Sequence, residues 1–440
     1  AGSESCRKCH AAEFEKWHGS NHGLAERNIS AEMDNKAFEP KQTLAHGKDT
    51  SEAFLDAGGL AKILTIGLDK QRRAYQPVRV IGNEPLRQFL IPAPGGRLQT
   101  CDVSLDPAKN EWFDVYGDEE RNPGDWGHWT GQGMNWNAMC AACHNTRLRK
   151  NYEPQTNSYH TSMAEMSVGC ESCHGPMKDH VEWQEKPPVH AKKDPTITKF
   201  NRDQVMETCA ACHSRHAELT GDPAPGDLFL DHHSLTLTDE TDTFYPDGQV
   251  QGENYEYSAF LSSKMHHAGV RCADCHDPHS NKLISPGNQV CMNCHVGGRT
   301  DFPTAPVIDP TAHSHHGADS TGNQCISCHM PVTTYMQRDP RHDHGFTIPD
   351  PKLTKEFGVP NACNRCHTDK STEWAIEAAD KWYGPKLDSH QRARTLEAAA
   401  GRCRRLRHLA AGLAGVRPME DFLARVHGRQ SMREVSAPLE

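Results

Sequence analysis

The chain has 440 residues, enough for two or three ordinary domains, yet only 36% of them are hydrophobic and the mean hydropathy is −0.76. That is a thin apolar core for a conventional globular protein of this length. The formal charge of −10 argues against a nucleic-acid partner, and the most apolar runs, 60–68 and 409–416, are too short to span a bilayer.

In chain order, residues 1–24 open with Cys6, Cys9 and His10, a Cys-x-x-Cys-His motif. This is the attachment signal for c-type haem. Each thiol can add to one porphyrin vinyl group, and two intervening residues place both sulfurs along one ring edge. The next residue, histidine, then falls beneath the iron as its proximal ligand. Because the first motif starts at Cys6, no apolar leader precedes it, and the chain reads as a mature exported form. Glu13, Trp17 and Leu24 have helical spacing, which places His18 or His22 on one face as a second ligand.

Residues 25–139 hold no such motif. Near 75–117 the pattern alternates and is broken by turn signals, so a small β-rich insert is expected there, with a hairpin at Gly95-Gly96. Trp126, Trp129 and Trp136 follow, either walling a porphyrin or forming an aromatic core patch, two readings that are compatible. In 140–217 come three more motifs: Cys140, Cys143 and His144; Cys170, Cys173 and His174; Cys209, Cys212 and His213. Residues 218–250 are a Pro/Gly/Asp-rich connection. In 251–370 lie four more: Cys272, Cys275 and His276; Cys291, Cys294 and His295; Cys325, Cys328 and His329; Cys363, Cys366 and His367.

Eight copies use sixteen of the eighteen cysteines. A zinc site has no rule that His follows each Cys pair, and a thioredoxin-like motif appears once and needs no histidine. Eight covalent haem c groups are therefore expected, one per 55 residues (440 divided by eight). At that density the fold should be mostly irregular chain and short α-helices wrapped round a row of haems, whose apolar plates replace the missing core. Cys101 and Cys403 are left over and read as two isolated buried thiols.

Residues 371–440 form a helical tail: Ser371 is an N-cap, Gly384-Pro385 a stop, and from Gln391 onward there are ten arginines and no lysine. A basic tail on an acidic body is either a solvated helical face or a docking element for another copy.

Subtracting the eight motif histidines from twenty-nine leaves twenty-one, far more than eight irons need as second ligands. The surplus indicates bis-histidine ligation. His279 follows His276 by three residues, too few to pass round the ring, so it must reach a neighbouring haem. His180, six residues after His174, is a similar case. Further candidates are His266 or His267, His313, His315 or His316, and His342 or His344.

The segments MNWNAMCAACHNTRLRKNY, SVGCESCHGPMKDHVEW, YPDGQVQGENYEYSAFLSSKMHHAGVRCADCHDPHS, CISCHMPVTTYMQRDPRHDHGF and GVPNACNRCHTDKSTEWA extend well beyond the motifs. They resemble exported multihaem cytochromes with cytochrome c-552/554-type and doubled-CxxCH domains, over roughly residues 4–385. The resemblance implies mostly bis-histidine haems and an electron-transfer role. It also implies a distal set of His22, His128, His180, His279, His313, His316 and His344 with one of His266 and His267, here taken as His267.

The expected function is thus electron transport outside the cytoplasm, in the periplasm, at the cell surface or beyond it. Redox proteins or extracellular acceptors are the expected partners. Head-to-tail assembly into a filament is a further expectation, from the haem motif near the N-terminus and the basic tail. The alternatives are a monomeric periplasmic shuttle and a nitrite- or hydroxylamine-type octahaem oxidoreductase. The nitrite-reducing class commonly has Lys in place of one proximal His, whereas all eight motifs here end in His, and none of the nine tyrosines has an identifiable cross-linking context. Mass spectrometry of the denatured protein should show eight haem additions; seven or fewer on fully matured material contradicts the count.

Overall fold

Strand-forming alternation becomes sheet between residues 42 and 114. The computed structural model describes residues 1–186, 194–387 and 389–399. After β1 (Glu26–Asn28), the strands β2 (Gln42–His46), β3 (Asp49–Leu55), β4 (Ala61–Ile66) and β5 (Arg72–Tyr75) form an antiparallel meander. A second sheet runs β1-β6-β7-β8, with β6 (Arg79–Ile81), β7 (Gln88–Ala93) and β8 (Arg97–Thr100). β9 (Val103–Asp106) pairs with β10 (Glu111–Asp114).

The insert therefore starts well before the expected 75–117. Its first sheet was hidden because β2 and β5 are edge strands without a fully buried residue, and edge strands carry little apolar periodicity. The Gly95-Gly96 hairpin is present: Ala93 pairs with Arg97, and both glycines have positive φ, 72° and 69°. A Cβ on Gly96 would lie 2.2 Å from the Tyr159 carbonyl oxygen, so this turn requires glycine.

Alternation along β6 and β7 decides how the insert meets the first motif of the 140–217 segment. Val80, Phe89 and Ile91 face a core with Phe38, Ile63, Val103, Trp112 and Trp129. Ile81 and Leu90 point the other way, onto Trp136 and Ala141 beside Cys140. Helix α1 (Ala11–His18) precedes the insert, and α2 (Ala31–Phe38) lies within it, capped by the Ser30 hydroxyl, which accepts from the Met33 amide.

Two buried carboxylates lock this region. Asp34 accepts both guanidinium nitrogens of Arg27 at 2.7 Å and the Ser30 amide at 2.9 Å. Glu26 on β1 accepts from Arg79 at 2.9 Å, from the Trp136 indole at 2.7 Å and from the Asn145 amide at 2.7 Å. One carboxylate thus joins the sheet to the residues on both sides of Cys140, Cys143 and His144, with its charge paired and its oxygens satisfied.

The rest of the described chain is short helices and small hairpins. Among the hairpins are His216–Glu218 with His233–Leu235, His276–Asp277 with Lys282–Leu283, and Val332–Tyr335 with Asp339–His342. Long-range polar contacts fold the N-terminal segment onto distant motifs. The Ser3 hydroxyl accepts from the Cys170 amide at 2.9 Å, the Trp17 indole donates to the Val168 carbonyl at 2.8 Å, and Lys16 pairs with Asp277 at 2.9 Å. In the tail, the helix Thr372–Trp382 is capped by Ser371 and the helix Arg392–Ala399 follows. The remaining tail, 400–440, lies outside the described residues. Among the described residues no helix is long and apolar enough to cross a membrane.

Glu26→Ala should strand the Arg79 charge and two buried donors, costing on the order of 3 kcal/mol. Thermal unfolding of the haem-loaded protein checks this, and a transition unchanged from the parent would refute it.

Candidate functional site

All eight motifs coincide with a short helix or helical turn, or run on from the end of one. Examples are Ala141–His144, Glu171–His174, Gln289–His295, Cys325–His329 and Ala362–Cys366. Helical pitch brings positions three apart to one side, so both thiols of each motif face the same way and the histidine sits a turn further on. No disulfide joins any of the described cysteines. Cys101 is fully buried in the insert core, where burial pushes its thiol well above the ordinary value; Cys403 lies outside the described residues.

The histidines show one recurring distance. His10 and His180 have ring centroids 6.3 Å apart, His22 and His213 6.2 Å, and His174 and His279 6.3 Å. His276 and His344 are 6.3 Å apart, His313 and His329 6.0 Å, and His316 and His367 6.1 Å. Each pair joins one motif histidine to one from a different stretch. A metal–imidazole bond of about 2.0 Å plus roughly 1.1 Å from nitrogen to ring centre, taken on both sides of one metal, gives about 6.3 Å. The spacing is the one that a single iron with two axial imidazoles spans.

Hydrogen bonds select the tautomer. The Nδ1 atoms of His144, His295 and His329 lie 3.0, 2.9 and 2.9 Å from the carbonyl oxygens of Ala25, Pro306 and Thr347. Those of His316 and His344 lie 2.7 and 2.9 Å from the carbonyls of Ser314 and His342. A carbonyl only accepts, so Nδ1 carries the proton and Nε2 keeps its lone pair for a metal. Two rings are within hydrogen-bonding distance of a carboxylate instead, His213 of Glu256 at 3.3 Å and His180 of Asp194 at 2.6 Å, and His279 faces Asp277 at 3.6 Å. Burial works to raise the Glu256 carboxyl, but the hydrogen bond and charge of His213 outweigh it and hold it at about 2. Sequence gave no sign of the Glu256 or Asp194 contact, since the partners are 43 and 14 residues apart.

Cysteines of different motifs lie close enough to influence one another electrostatically. Cys6 adjoins Cys170, Cys143 adjoins Cys212, Cys209 adjoins Cys272, and Cys291 adjoins Cys325. Cys275 lies near Cys294, and Cys328 near Cys363 and Cys366. Cys173 lies near Cys209 and Cys212. The spatial order is therefore first, third, fourth, fifth, sixth, seventh and eighth motif, with the second branching from the fourth. The connection 218–250 does not interrupt the row, because Cys209 and Cys272 meet across it.

Two expected distal histidines are not brought to a motif histidine at this spacing. His128 is held in the insert, its Nδ1 2.7 Å from the Thr130 hydroxyl and its ring beside Trp129. His267 packs on His266, their centroids 5.4 Å apart. Correspondingly, no imidazole ring among the described residues stands at that spacing from His144 or His295. Of the other candidates, His18 stacks on Phe14, His315 stacks on Trp382, and His342 is tied to the Met330 carbonyl.

The apolar surroundings also fit a porphyrin. Beside His295, Val296 and Val307 are 58% and 70% exposed, a surface that a flat apolar plate would cover. Paired thiols, paired imidazoles and open apolar walls together define a c-type cytochrome with several haems.

The comparisons agree. Residues 5–54 and 127–175 match the family model of cytochrome c554 and c-prime. The chain is 24% identical over 260 residues to the multiheme cytochrome MtrA of Shewanella baltica (strain OS185), covering 57% of this chain and 55% of that protein. It is 22% identical over 380 residues to the dissimilatory sulfite reductase MccA of Wolinella succinogenes, covering 75% of this chain and 50% of that one. The chain thus spans about half the length of the curated relatives it matches. Its fold is similar to the crystal structure of the outer cell wall cytochrome OcwA, with a TM-score of 0.55, 17% identity and coverage of 97% and 98% of the two chains. The chain is a multihaem c-type cytochrome, carrying covalently attached haem c.

His279→Ala should perturb the centre bound at Cys170 and Cys173, whose His174 it faces, and leave the ligand set of the adjacent Cys272 and Cys275 centre intact. Electron paramagnetic resonance of the oxidised variant checks which low-spin signal disappears; loss of the His276–His344 signal instead would refute the pairing.

Proposed function

We propose that this chain holds eight haems and carries electrons along them outside the cytoplasm, without substrate chemistry of its own. The observation that supports the reading best is the set of six imidazole pairs at 6.0–6.3 Å, each joining separate stretches of chain. Sixteen cysteines would attach the haems: Cys6, Cys9, Cys140, Cys143, Cys170, Cys173, Cys209, Cys212, Cys272, Cys275, Cys291, Cys294, Cys325, Cys328, Cys363 and Cys366. Bound haem supplies one reversible one-electron site per iron. The chain's own residues then do the rest. The six imidazole pairs would hold an iron from both sides and leave it no room for another ligand, and the closeness of cysteines from different motifs would set one attachment site beside the next. The partners would be redox proteins or extracellular acceptors. An exported location accords with the similarity in fold to OcwA, an outer cell wall cytochrome.

One observation favours a second reading. His144 has no paired ring among the described residues, and the Arg341 charge lies close enough to help lower its pKa, after burial as the larger cause. If a haem at Cys140 and Cys143 kept an open position, the Arg341 charge would suit a small oxyanion there against the opposing charge of Glu26, and one relative is a sulfite reductase.

Low-temperature electron paramagnetic resonance of the oxidised protein separates the two. Electron transfer alone predicts low-spin signals that do not respond to added nitrite or sulfite. A high-spin ferric signal that converts on adding either anion would displace it in favour of a reductase.

A further inference from the structure

The fourth motif is the junction of the row. Cys212 adjoins Cys143, Cys209 adjoins Cys272, and Cys173 lies close by, so three other attachment sites meet here. His213 of this motif is also treated differently from most of its counterparts. Its Nδ1 faces the Glu256 carboxylate at 3.3 Å, whereas five other rings are held by neutral carbonyls. Glu256 is the first residue of the helix Glu256–Leu261, and the next residue, Tyr257, donates its amide to the His213 carbonyl at 3.0 Å. The start of this helix is therefore fastened to the histidine from two sides.

We propose that Glu256 is a positioning residue that acts through His213 to lower the reduction potential of the haem at Cys209 and Cys212. The inference rests on the reading that His213 is an axial ligand. A carboxylate draws on the Nδ1 proton more strongly than a carbonyl does, which makes Nε2 a better electron donor to iron. Its negative charge also favours the ferric over the ferrous ion, so both effects have the same sign. A low-potential junction does not retain an electron, and the arms that meet there charge separately. The competing explanation is that Glu256 only stabilises the helix N-terminus, where an acidic side chain is favourable in any case.

The ring planes supply a label for this centre. His22 and His213 cross at 69°, while the other five pairs lie between 11° and 37°. Near-perpendicular imidazoles give a strongly anisotropic low-spin signal; near-parallel ones give a rhombic signal. In a potentiometric titration of the native protein, the anisotropic signal should persist to lower potential than most rhombic signals. Its loss together with the first of them would overturn the proposal without any variant. In Glu256→Gln the midpoint of that one centre should rise, and in Glu256→Asp it should return towards the native value. A purely structural role predicts no shift confined to one centre, and such a result in the fully haem-loaded Gln variant also overturns the proposal. Mass spectrometry of the same samples separates the two levels: unmodified Cys209 and Cys212 would refute the haem assignment itself, whereas full loading with unmoved potentials would refute only the role of Glu256.

Discussion

The separation of two imidazole rings across one metal is the constraint on which the rest of this structure depends. Each of the six pairs joins separate stretches of chain, so each would act as a cross-link once it holds an iron. His22 and His213 are 191 residues apart, and His10 and His180 are 170 apart. Such links substitute for the aliphatic core that a chain with 36% hydrophobic residues lacks. Short helices and two-residue strands would then suffice between motifs, since ligation would hold the geometry that long elements hold elsewhere.

The insert follows different physics. Its core of Phe38, Phe89, Ile91, Trp112 and Trp129 is conventional, and Ile81 and Leu90 offer a second apolar face to the segment around Cys140. Glu26 then ties sheet, Trp136 and Asn145 together with three hydrogen bonds. The result is a rigid mount for His144, whose ring is oriented by the Ala25 carbonyl next to Glu26. The branch of the row thus stands on an ordinary hydrophobic core, while the main row stands on its own ligands.

Interleaving is the other consequence. The first motif lies against the third because Ser3 and Trp17 bind the backbone on either side of Gly169. His279, three residues after His276, faces His174, so the loop that ends one site completes another. The first part of the row depends on the second: removing residues 251–370 would take His279 from His174, whereas the pairs His276–His344, His313–His329 and His316–His367 lie within that stretch.

What the sequence determined by itself is local chemistry. Cys-x-x-Cys-His is read within five residues, and the hairpin at Gly95-Gly96 and the Ser371 cap are equally short-range. His279 is expected to reach beyond its own motif, because three residues cannot pass round a ring, and its ring faces that of His174 in the third motif. The pairing of His22 with His213, the branch of the second motif from the fourth, and the Glu256 contact were decided only by the tertiary structure. So was the placing of His128 inside the insert, although it stands in a motif-like context. The physical reason is that an axial ligand is defined by a distance across a metal, not by a spacing along the chain. With twenty-one histidines beyond the motifs, only folding selects which rings face one another.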